Sequence, residues 1–170
     1  MSKTVLITGA TSGFGEATAS LFAQQGHSVI ITGRRADRLE KLKTQLETSF
    51  QAKVYPLSFD VRIQHEVKKA IASLPESWKK IDILVNNAGL ASGLDPIQEG
   101  DLDDWEKMID TNVKGLLYVS KEVIPFMIAR NQGHIINLGS TAGKEVYANG
   151  NVYCASKFAV DALTKGMRID

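Results

Sequence analysis

Two side chains near the C-terminal end of the sequence could together move a proton. Tyr153 and Lys157 are four positions apart in a predicted helix, so the phenol and the ammonium lie on one face, one turn apart. A nearby cation favours the phenolate and lowers the pKa of a tyrosine from about 10 towards neutral pH. Such a tyrosine could donate a proton to a carbonyl oxygen or accept one from an alcohol. The pair also occurs by chance in many chains, so the spacing alone does not identify a catalytic site.

The position of Ser140 distinguishes the Tyr153–Lys157 pair from a second tyrosine–lysine pair in the sequence. Tyr118 and Lys121 lie within a long predicted helix, where Tyr118 is expected to pack in the core. Ser140, in contrast, follows a predicted strand and precedes Tyr153 by thirteen residues. Ligands of open α/β sheets bind at the carboxyl ends of the strands. Gly9, Asp60, Asn86 and Ser140 all lie at such ends, so they are expected to converge on one crevice.

A glycine-rich turn joins the first predicted strand to the first helix. Its sequence is Thr8-Gly-Ala-Thr-Ser-Gly-Phe-Gly15. Such a turn exposes backbone N–H groups at a helix N-terminus, which favours binding of a pyrophosphate. The spacing is Gly-x-x-x-Gly-x-Gly instead of the common Gly-x-Gly-x-x-Gly, and a structural turn without a ligand remains an alternative.

Two arginines follow the second predicted strand. In dinucleotide-binding folds an acid at this place binds the 2′-hydroxyl of NAD, whereas an arginine accepts the 2′-phosphate of NADP. Arg34 and Arg35 stand here without a carboxylate, and guanidinium groups match phosphate geometry, so the sequence favours NADP. The alternative is that both arginines only solvate a helix start. Asp60, after the third strand, could accept from the adenine amino group or cap the next helix.

These residues are carried by alternating strands and helices. Strands are predicted at 4–7, 28–32, 53–59, 81–85 and 134–138, and the intervening segments have helical patterns, including a long helix over about 103–129. This order predicts an α/β fold with a doubly wound parallel sheet, Rossmann-like, in one domain over residues 1–170. Pro125 is expected to kink the long helix or end its regular part. A complete fold of this type has six strands, so the C-terminal strands are expected to be missing, which leaves the fifth strand at an edge.

The composition excludes several classes of protein. The 170 residues are 44% hydrophobic and carry a net charge of +1, so bulk charge attracts neither nucleic acid nor an anionic membrane. No apolar stretch approaches the ~20 residues of a membrane span. Cys154 is the only cysteine, and the N-terminus runs directly into a strand without room for a signal peptide, so a cytoplasmic location is predicted. The three histidines are scattered, so no metal site is expected.

Five motifs in order resemble the short-chain dehydrogenase/reductase family. They are the glycine turn, Asn86-Asn-Ala-Gly89, Asn112, Ser140 and Tyr153-x-x-x-Lys157. Further stretches, such as Thr32-Gly-Arg-Arg35 and Gly139-Ser-Thr-Ala-Gly143, resemble a narrower group, the NADP-dependent 3-hydroxy acid (serine) dehydrogenases. The resemblance implies hydride transfer between NADP(H) and the hydroxyl or carbonyl of a small 3-hydroxy acid of the serine, allo-threonine or 3-hydroxypropionate type.

The resemblance also implies a role for each site residue. Tyr153 is expected to be the acid/base, Lys157 to lower its pKa and hold the nicotinamide ribose, Ser140 to bind the substrate oxygen, and Asn112 to hold a water linked to Lys157. Asn87 is expected to tether strands. The residues expected to bind the cofactor are Gly9, Thr11, Ser12, Gly13, Phe14, Gly15, Arg34, Arg35, Asp60, Val61, Asn86, Ala88, Gly89, Tyr153 and Lys157.

Two further expectations concern the chain as a whole. Members of the family often pair the helices around Asn112 and Tyr153 with those of a neighbouring subunit, so the resemblance implies a homo-oligomer. Because the C-terminal strands and the substrate loop are expected to be absent, the alternative function is a catalytically incompetent nucleotide-binding fragment or partner-binding module.

Overall fold

A five-stranded parallel sheet forms the centre of the fold in a computed structural model that describes residues 2–170. The strands are β1 (Thr4–Ile7), β2 (Ser28–Gly33), β3 (Val54–Ser58), β4 (Ile83–Asn86) and β5 (His134–Asn137). Their spatial order is β3-β2-β1-β4-β5, so the chain winds outwards from β1 first in one direction and then in the other. The predicted doubly wound α/β fold is confirmed, and a crevice is expected where the direction reverses, beyond the carboxyl ends of β1 and β4.

Five helices lie in the connections between consecutive strands, and a sixth follows β5. They are α1 (Gly13–Gln24), α2 (Ala36–Phe50), α3 (Gln64–Ala72), α4 (Leu102–Ile109), α5 (Leu116–Ile128) and α6 (Asn151–Ile169). A π-helical segment (Asp110–Gly115) joins α4 to α5, and short 3₁₀ turns occupy Glu76–Trp78 and Thr141–Gly143. None of the helices within residues 2–170 combines the length and the apolar character needed to cross a membrane.

The sheet is packed on both faces because its central strands carry apolar residues at consecutive positions. In β1, Val5 and Ile7 point to the face covered by α1 and α2, where Leu39 and Leu46 complete one core. Leu6 points to the opposite face. That second core contains Ile30, Leu84, Val67, Ile71, Val119 and Val123.

The edge strand β5 differs from the central strands. Its first residue, His134, is exposed and the next three are only half-buried, whereas Val5, Leu6 and Ile7 of β1 are fully buried. A groove of about 650 Å³ runs beside β5 between α5 and α6, with Ile128 on its rim at 71% exposure. The prediction that the fifth strand lies at an edge is confirmed.

The long helix departs from regular α geometry at a place other than the predicted one. It does not end at Pro125, since α5 continues through this residue to Ile128. Val119, Val123 and Met127 are buried on both sides of the proline, so tertiary packing holds the helix together despite the missing N–H group. The interruption is instead the π-helical segment at Asp110–Gly115, a type of bulge that is frequent at functional sites.

Candidate active site

The glycine turn after β1 depends on glycine at two positions. Gly9 has a φ of +66°, and a Cβ atom there would lie 2.9 Å from the Ala88 Cα. A Cβ atom on Gly15 would collide with the carbonyl oxygen of Gly9 and with the Asn87 amide. Any side chain at either position would therefore push the first turn of α1 away from the sheet.

Side chains at the end of β4 hold this turn in place. Asn87 donates from Nδ2 to the carbonyl oxygens of Thr8, at 2.8 Å, and Gly9, at 3.2 Å. The Thr8 hydroxyl oxygen accepts the backbone N–H groups of Asn87 at 3.0 Å and Ala88 at 2.9 Å. These bonds join the carboxyl ends of β1 and β4, the two strands between which the winding direction reverses.

A cleft of about 370 Å³ opens above the turn. Eleven of the residues predicted to bind a cofactor line it: Gly9, Thr11, Ser12, Gly13, Phe14, Arg34, Arg35, Asp60, Val61, Ala88 and Gly89. Gly15 lies behind the turn, and Asn86, Tyr153 and Lys157 are also outside the lining. Asn87, which was expected to tether strands, also lines the cleft, and five residues that the sequence did not single out complete the wall: Gly33, Phe59, Leu90, Thr111 and Leu138. Gly33 and Phe59 directly precede the predicted residues Arg34 and Asp60 at strand ends, which is the signal that could have revealed them.

The two arginines occupy different environments at the cleft. Arg35 donates from Nη2 to the hydroxyls of Thr11 at 2.7 Å and Ser12 at 3.4 Å, so its guanidinium lies across the glycine turn. Arg34 is 63% exposed, with Nη1 4.0 Å from a carboxylate oxygen of Asp60. Both guanidinium groups therefore stand at the mouth of the cleft.

Asp60 is paired with a third arginine. Its carboxylate accepts three bonds from the Arg62 side chain, the shortest 2.7 Å, and one from the Arg62 backbone N–H. Burial alone would raise the pKa of Asp60, but the bonds and charge of Arg62, with the charge of Arg34, hold this pKa below its ordinary value. Asp60 does not cap the next helix, because α3 begins after Ile63 and has no side-chain cap.

The side chain of Asn86 faces the interior and does not line the cleft. It is 4% exposed and donates from Nδ2 to the Ser120 hydroxyl at 3.0 Å and to Asn137 Oδ1 at 2.9 Å. An amide at the last position of a central strand is surrounded by neighbouring elements, so it bonds to them. The cleft wall beyond β4 is formed by the next residues of the motif, including Ala88 and Gly89.

Tyr153 and Lys157 lie together in the first half of α6. The Lys157 Nζ atom is 6.0 Å from the centroid of the Tyr153 ring and donates to the carbonyl oxygen of Leu138 at 2.9 Å. Lys157 is only 7% exposed, and this burial lowers its pKa from the ordinary value of 10.5. Because Leu138 lines the cleft, the ammonium is fixed beside the end of the cleft that is remote from the arginines.

Asn112 connects the π-helical segment to the loop after β4. Its Oδ1 accepts the Leu90 N–H and its Nδ2 donates to the Leu90 carbonyl oxygen, both at 2.8 Å. A Cβ atom placed on Gly89 would lie 3.2 Å from Asn112 Oδ1 and 3.6 Å from Lys157 Nζ. Asn112 and Lys157 therefore approach the same glycine at the cleft wall.

Ser140 begins the turn that follows β5. Its hydroxyl oxygen accepts the Ala142 N–H at 3.2 Å, an N-cap to the 3₁₀ turn Thr141–Gly143. The hydroxyl proton has no protein acceptor within residues 2–170. The turn packs directly on α6, since a Cβ atom on Gly143 would lie 2.7 Å from the Lys157 carbonyl oxygen. Ser140 is thus held next to the helix that carries the tyrosine–lysine pair.

Two further residues named in the sequence analysis, Tyr118 and Cys154, are packed within the protein. Tyr118 packs half-buried against the core on the α5 face of the sheet. Cys154 is a buried free thiol. Over residues 2–170, no group of three or more histidine, cysteine or acidic side chains is arranged to hold a metal ion.

Comparison with known proteins gives consistent matches over nearly the whole chain. The family model described as short chain dehydrogenase matches residues 3–170. Over 98% of this chain, the sequence is 52% identical to the NADP-dependent 3-hydroxy acid dehydrogenase of Escherichia coli K12. Over 100% of this chain, it is 48% identical to serine 3-dehydrogenase of Rhizobium radiobacter. It spans about 65% of the length of these curated relatives.

Solved structures give the same result. The serine dehydrogenase of Escherichia coli matches with a TM-score of 0.94 and 51% identity over 98% of this chain and 76% of that one. A closed form of serine dehydrogenase complexed with NADP⁺ also has a TM-score of 0.94 and 51% identity, over 98% of this chain and 66% of that one.

Proposed function

Because the chain belongs to the short-chain dehydrogenase family, we propose that it serves as an NADP-dependent oxidoreductase acting on a small 3-hydroxy acid. The observation that carries this proposal is the position of Tyr153 and Lys157. The buried Lys157 ammonium lies 6.0 Å from the centroid of the Tyr153 ring and is bonded to the carbonyl oxygen of Leu138, which lines the cleft built on the glycine turn. This combination provides a proton donor and acceptor next to a nucleotide-sized site.

The residues at the cleft fit a dinucleotide with a 2′-phosphate. The glycine turn leaves no room for a side chain at Gly9 and Gly15, which lets the backbone approach a pyrophosphate at the N-terminus of α1. Arg34 and Arg35 supply two guanidinium groups at the mouth of the cleft, and the residue that ends β2 is Gly33 instead of an acid. NADP-dependence in the names of relatives about 50% identical supports the same cofactor.

Each side chain near Tyr153 has a defined task in the proposed reaction. A nicotinamide dinucleotide held by the glycine turn and the two arginines would supply the hydride chemistry between alcohol and carbonyl. Tyr153 takes the hydroxyl proton during oxidation and returns it during reduction. The Lys157 ammonium stabilises the phenolate that this transfer requires, and the free O–H of Ser140 holds the substrate oxygen near the phenol.

Several finer points extend this proposal. The names of the relatives support a 3-hydroxy acid and serine in particular, in which the reacting hydroxyl is β to a carboxylate. The resemblance of the sequence adds allo-threonine and 3-hydroxypropionate to the expected substrates. The resemblance also supports a homo-oligomer and a cytoplasmic location. A nucleotide-binding module without turnover is less favoured, because the relatives that match 98% of the chain are dehydrogenases.

The decisive experiment is a steady-state assay of the purified chain. Serine, allo-threonine and 3-hydroxypropionate are offered with NADP⁺ or NAD⁺, and formation of the reduced nucleotide is followed by absorbance. Turnover with NADP⁺ and at least one 3-hydroxy acid supports the proposal. Tight NADP⁺ binding by calorimetry without turnover of any of them would favour the nucleotide-binding module instead.

A further inference from the structure

A buried serine lies between the elements that carry the proposed reaction and has no task in that reaction. Ser156, in α6, is 0% exposed. Its hydroxyl oxygen accepts a hydrogen bond from Asn112 Nδ2 at 3.0 Å, and its proton is donated to the Tyr153 carbonyl oxygen at 2.7 Å. Serine hydroxyls often bond back to their own helix, but the bond received from the π-helical segment joins two separate elements.

The orientation of Asn112 depends on its surroundings, because a side-chain amide has a donor end and an acceptor end. Both Nδ2 hydrogens are used, one on the Leu90 carbonyl oxygen and one on the Ser156 hydroxyl, while Oδ1 accepts the Leu90 N–H. Asn112 is 2% exposed, so water cannot replace a lost partner cheaply. Without the Ser156 hydroxyl, one Nδ2 hydrogen would be buried and unpaired.

We propose that Ser156 is a positioning residue for the reacting side chains. Its hydroxyl fixes the Asn112 amide and so links the loop at Leu90 to α6 at Tyr153. One continuous chain of hydrogen bonds runs from the Leu90 backbone through Asn112 and Ser156 to the backbone of Tyr153. Lys157 follows Ser156 directly and is fastened to Leu138, so the cleft wall, the lysine and the tyrosine are held in one arrangement. The effect on turnover rests on the proposed function, whereas the linkage itself does not.

Hydrogen exchange of the Ser156→Ala variant tests the linkage without any assay of activity. The Leu90 N–H bonds to Asn112 Oδ1 and makes no direct bond to Ser156. If the serine fixes the amide, its loss should speed exchange at Leu90 by about tenfold or more, together with exchange around Tyr153. A serine that serves α6 alone would change exchange in α6 and leave Leu90 unchanged, and that result would overturn the proposal.

Ser120→Ala is a matched control. Ser120 is 2% exposed and also accepts a bond from a buried asparagine amide, Asn86 Nδ2, at 3.0 Å. The variant therefore loses the same group from a similar environment in α5. We expect it to lose stability without faster exchange at Leu90. Should Ser156→Ala fail to fold, Ser156→Cys keeps the side-chain shape with a weaker acceptor, and it should give a smaller increase at Leu90; no increase there would contradict the proposal.

Kinetics supply a second readout. With a turning-over enzyme, Ser156→Ala should lower kcat by about tenfold, a change of about 1.4 kcal/mol, while the KM for NADP⁺ stays within about twofold, because the glycine turn and the two arginines make no bond to Ser156. Ser120→Ala should leave kcat within about twofold. If the wild-type chain has no turnover with any 3-hydroxy acid, the proposed substrate class fails, but the exchange experiment still decides the role of Ser156.

Discussion

The two halves of the site are built by different means. The nucleotide half, which consists of the glycine turn 8–15 and the arginines 34–35, follows β1 and β2, whose residues are almost completely buried. Its shape is set by glycine backbone conformations and by close contacts that exclude side chains. The reacting half, which consists of Asn112, Ser140, Tyr153 and Lys157, is assembled by side-chain bonds between the π-helical segment, the edge strand and α6.

The charges in the two halves also differ. Next to the nucleotide half, burial would raise the pKa of Asp60, but the bonds and charge of the Arg62 guanidinium, with the charge of Arg34, hold this pKa below its ordinary value. In the reacting half the ammonium of Lys157 is buried against a backbone carbonyl oxygen, and no ion pair compensates it within the described residues 2–170. The nucleotide half should therefore control affinity for the cofactor, and the reacting half should control turnover.

The largest expected effect comes from removing the phenol. Tyr153→Phe keeps the ring and deletes the group that titrates, so turnover should fall by about 10²–10⁴-fold while affinity for NADPH stays within about twofold. Steady-state kinetics and calorimetry measure the two quantities. Tyr118→Phe, which changes a packed tyrosine of α5, should leave both unchanged. Near-normal turnover of the Tyr153 variant would contradict the expectation that the reacting half controls turnover.

The second effect belongs to the nucleotide half. Replacing Arg34 and Arg35 by alanine removes two charge-assisted contacts of about 1.5–3 kcal/mol each, so affinity for NADP(H) should fall more than about tenfold. Affinity for NAD(H), which has no 2′-phosphate, should change much less. The control is the pair Arg38→Ala and Lys41→Ala, which removes the same charge from exposed positions of α2. An equal loss for both nucleotides would mean that the arginines do not read the 2′-phosphate.

The same contrast explains what the sequence could and could not predict. The nucleotide half is local in sequence, since a strand, a glycine turn and a helix start are consecutive, and eleven of its predicted residues line the cleft. The strands were predicted to within about two residues at each end, because their apolar runs are short and bounded by polar residues. Tyr153, Lys157 and Ser140 were singled out by their spacing, and the structure places them on α6 and on the turn that packs against it.

What the sequence did not reveal depends on contacts between distant elements. The bonds that hold Asn112 cross 22 residues to Leu90 and 44 residues to Ser156, and no local pattern encodes such pairs. The inward orientation of the Asn86 side chain likewise follows from Ser120 and Asn137, which come from α5 and β5. The π-helical segment was missed because one wider turn inside a continuous helix has no local sequence pattern of its own, and the proline that looked disruptive is held by packing on both sides.

A moderate effect is expected at the edge beside the reacting half. Strand β5 offers unpaired backbone groups, and Ile128 exposes an apolar side chain at the adjoining groove, so the 170-residue chain should associate with itself at this edge. Ile128→Lys should reduce the associated fraction in sedimentation experiments severalfold. Leu21→Lys places the same charge on an exposed leucine of α1, far from the edge, and should have little effect. If the two variants had the same associated fraction, β5 would not be the site of association.

The smallest effect concerns the uncompensated charge of Lys157. Burial lowers its pKa below 10.5, so between this lowered pKa and 10.5 the unfolded chain binds more protons than the folded chain. In that window Lys157 makes the free energy of unfolding rise with pH, because the penalty for burying the ammonium is relieved as it deprotonates.

As the pH is raised from neutral towards 10.5, the free energy of unfolding of Lys157→Met should therefore rise less, or fall more, than that of the wild type. Denaturant titrations at several pH values measure this difference. Lys165, in the same helix, provides the opposite case, since its hydrogen bond to Asp161 and the charge of that carboxylate raise its pKa. Its contribution is fully present below 10.5 and is lost as the pH rises from 10.5 through the raised pKa, so in that higher window Lys165→Met should change the slope with the reverse sign. If both substitutions changed the slope of the free energy of unfolding against pH with the same sign, burial would not determine the charge of Lys157. The contrast between the paired charges at the nucleotide half and the unpaired ammonium of the reacting half would then be wrong.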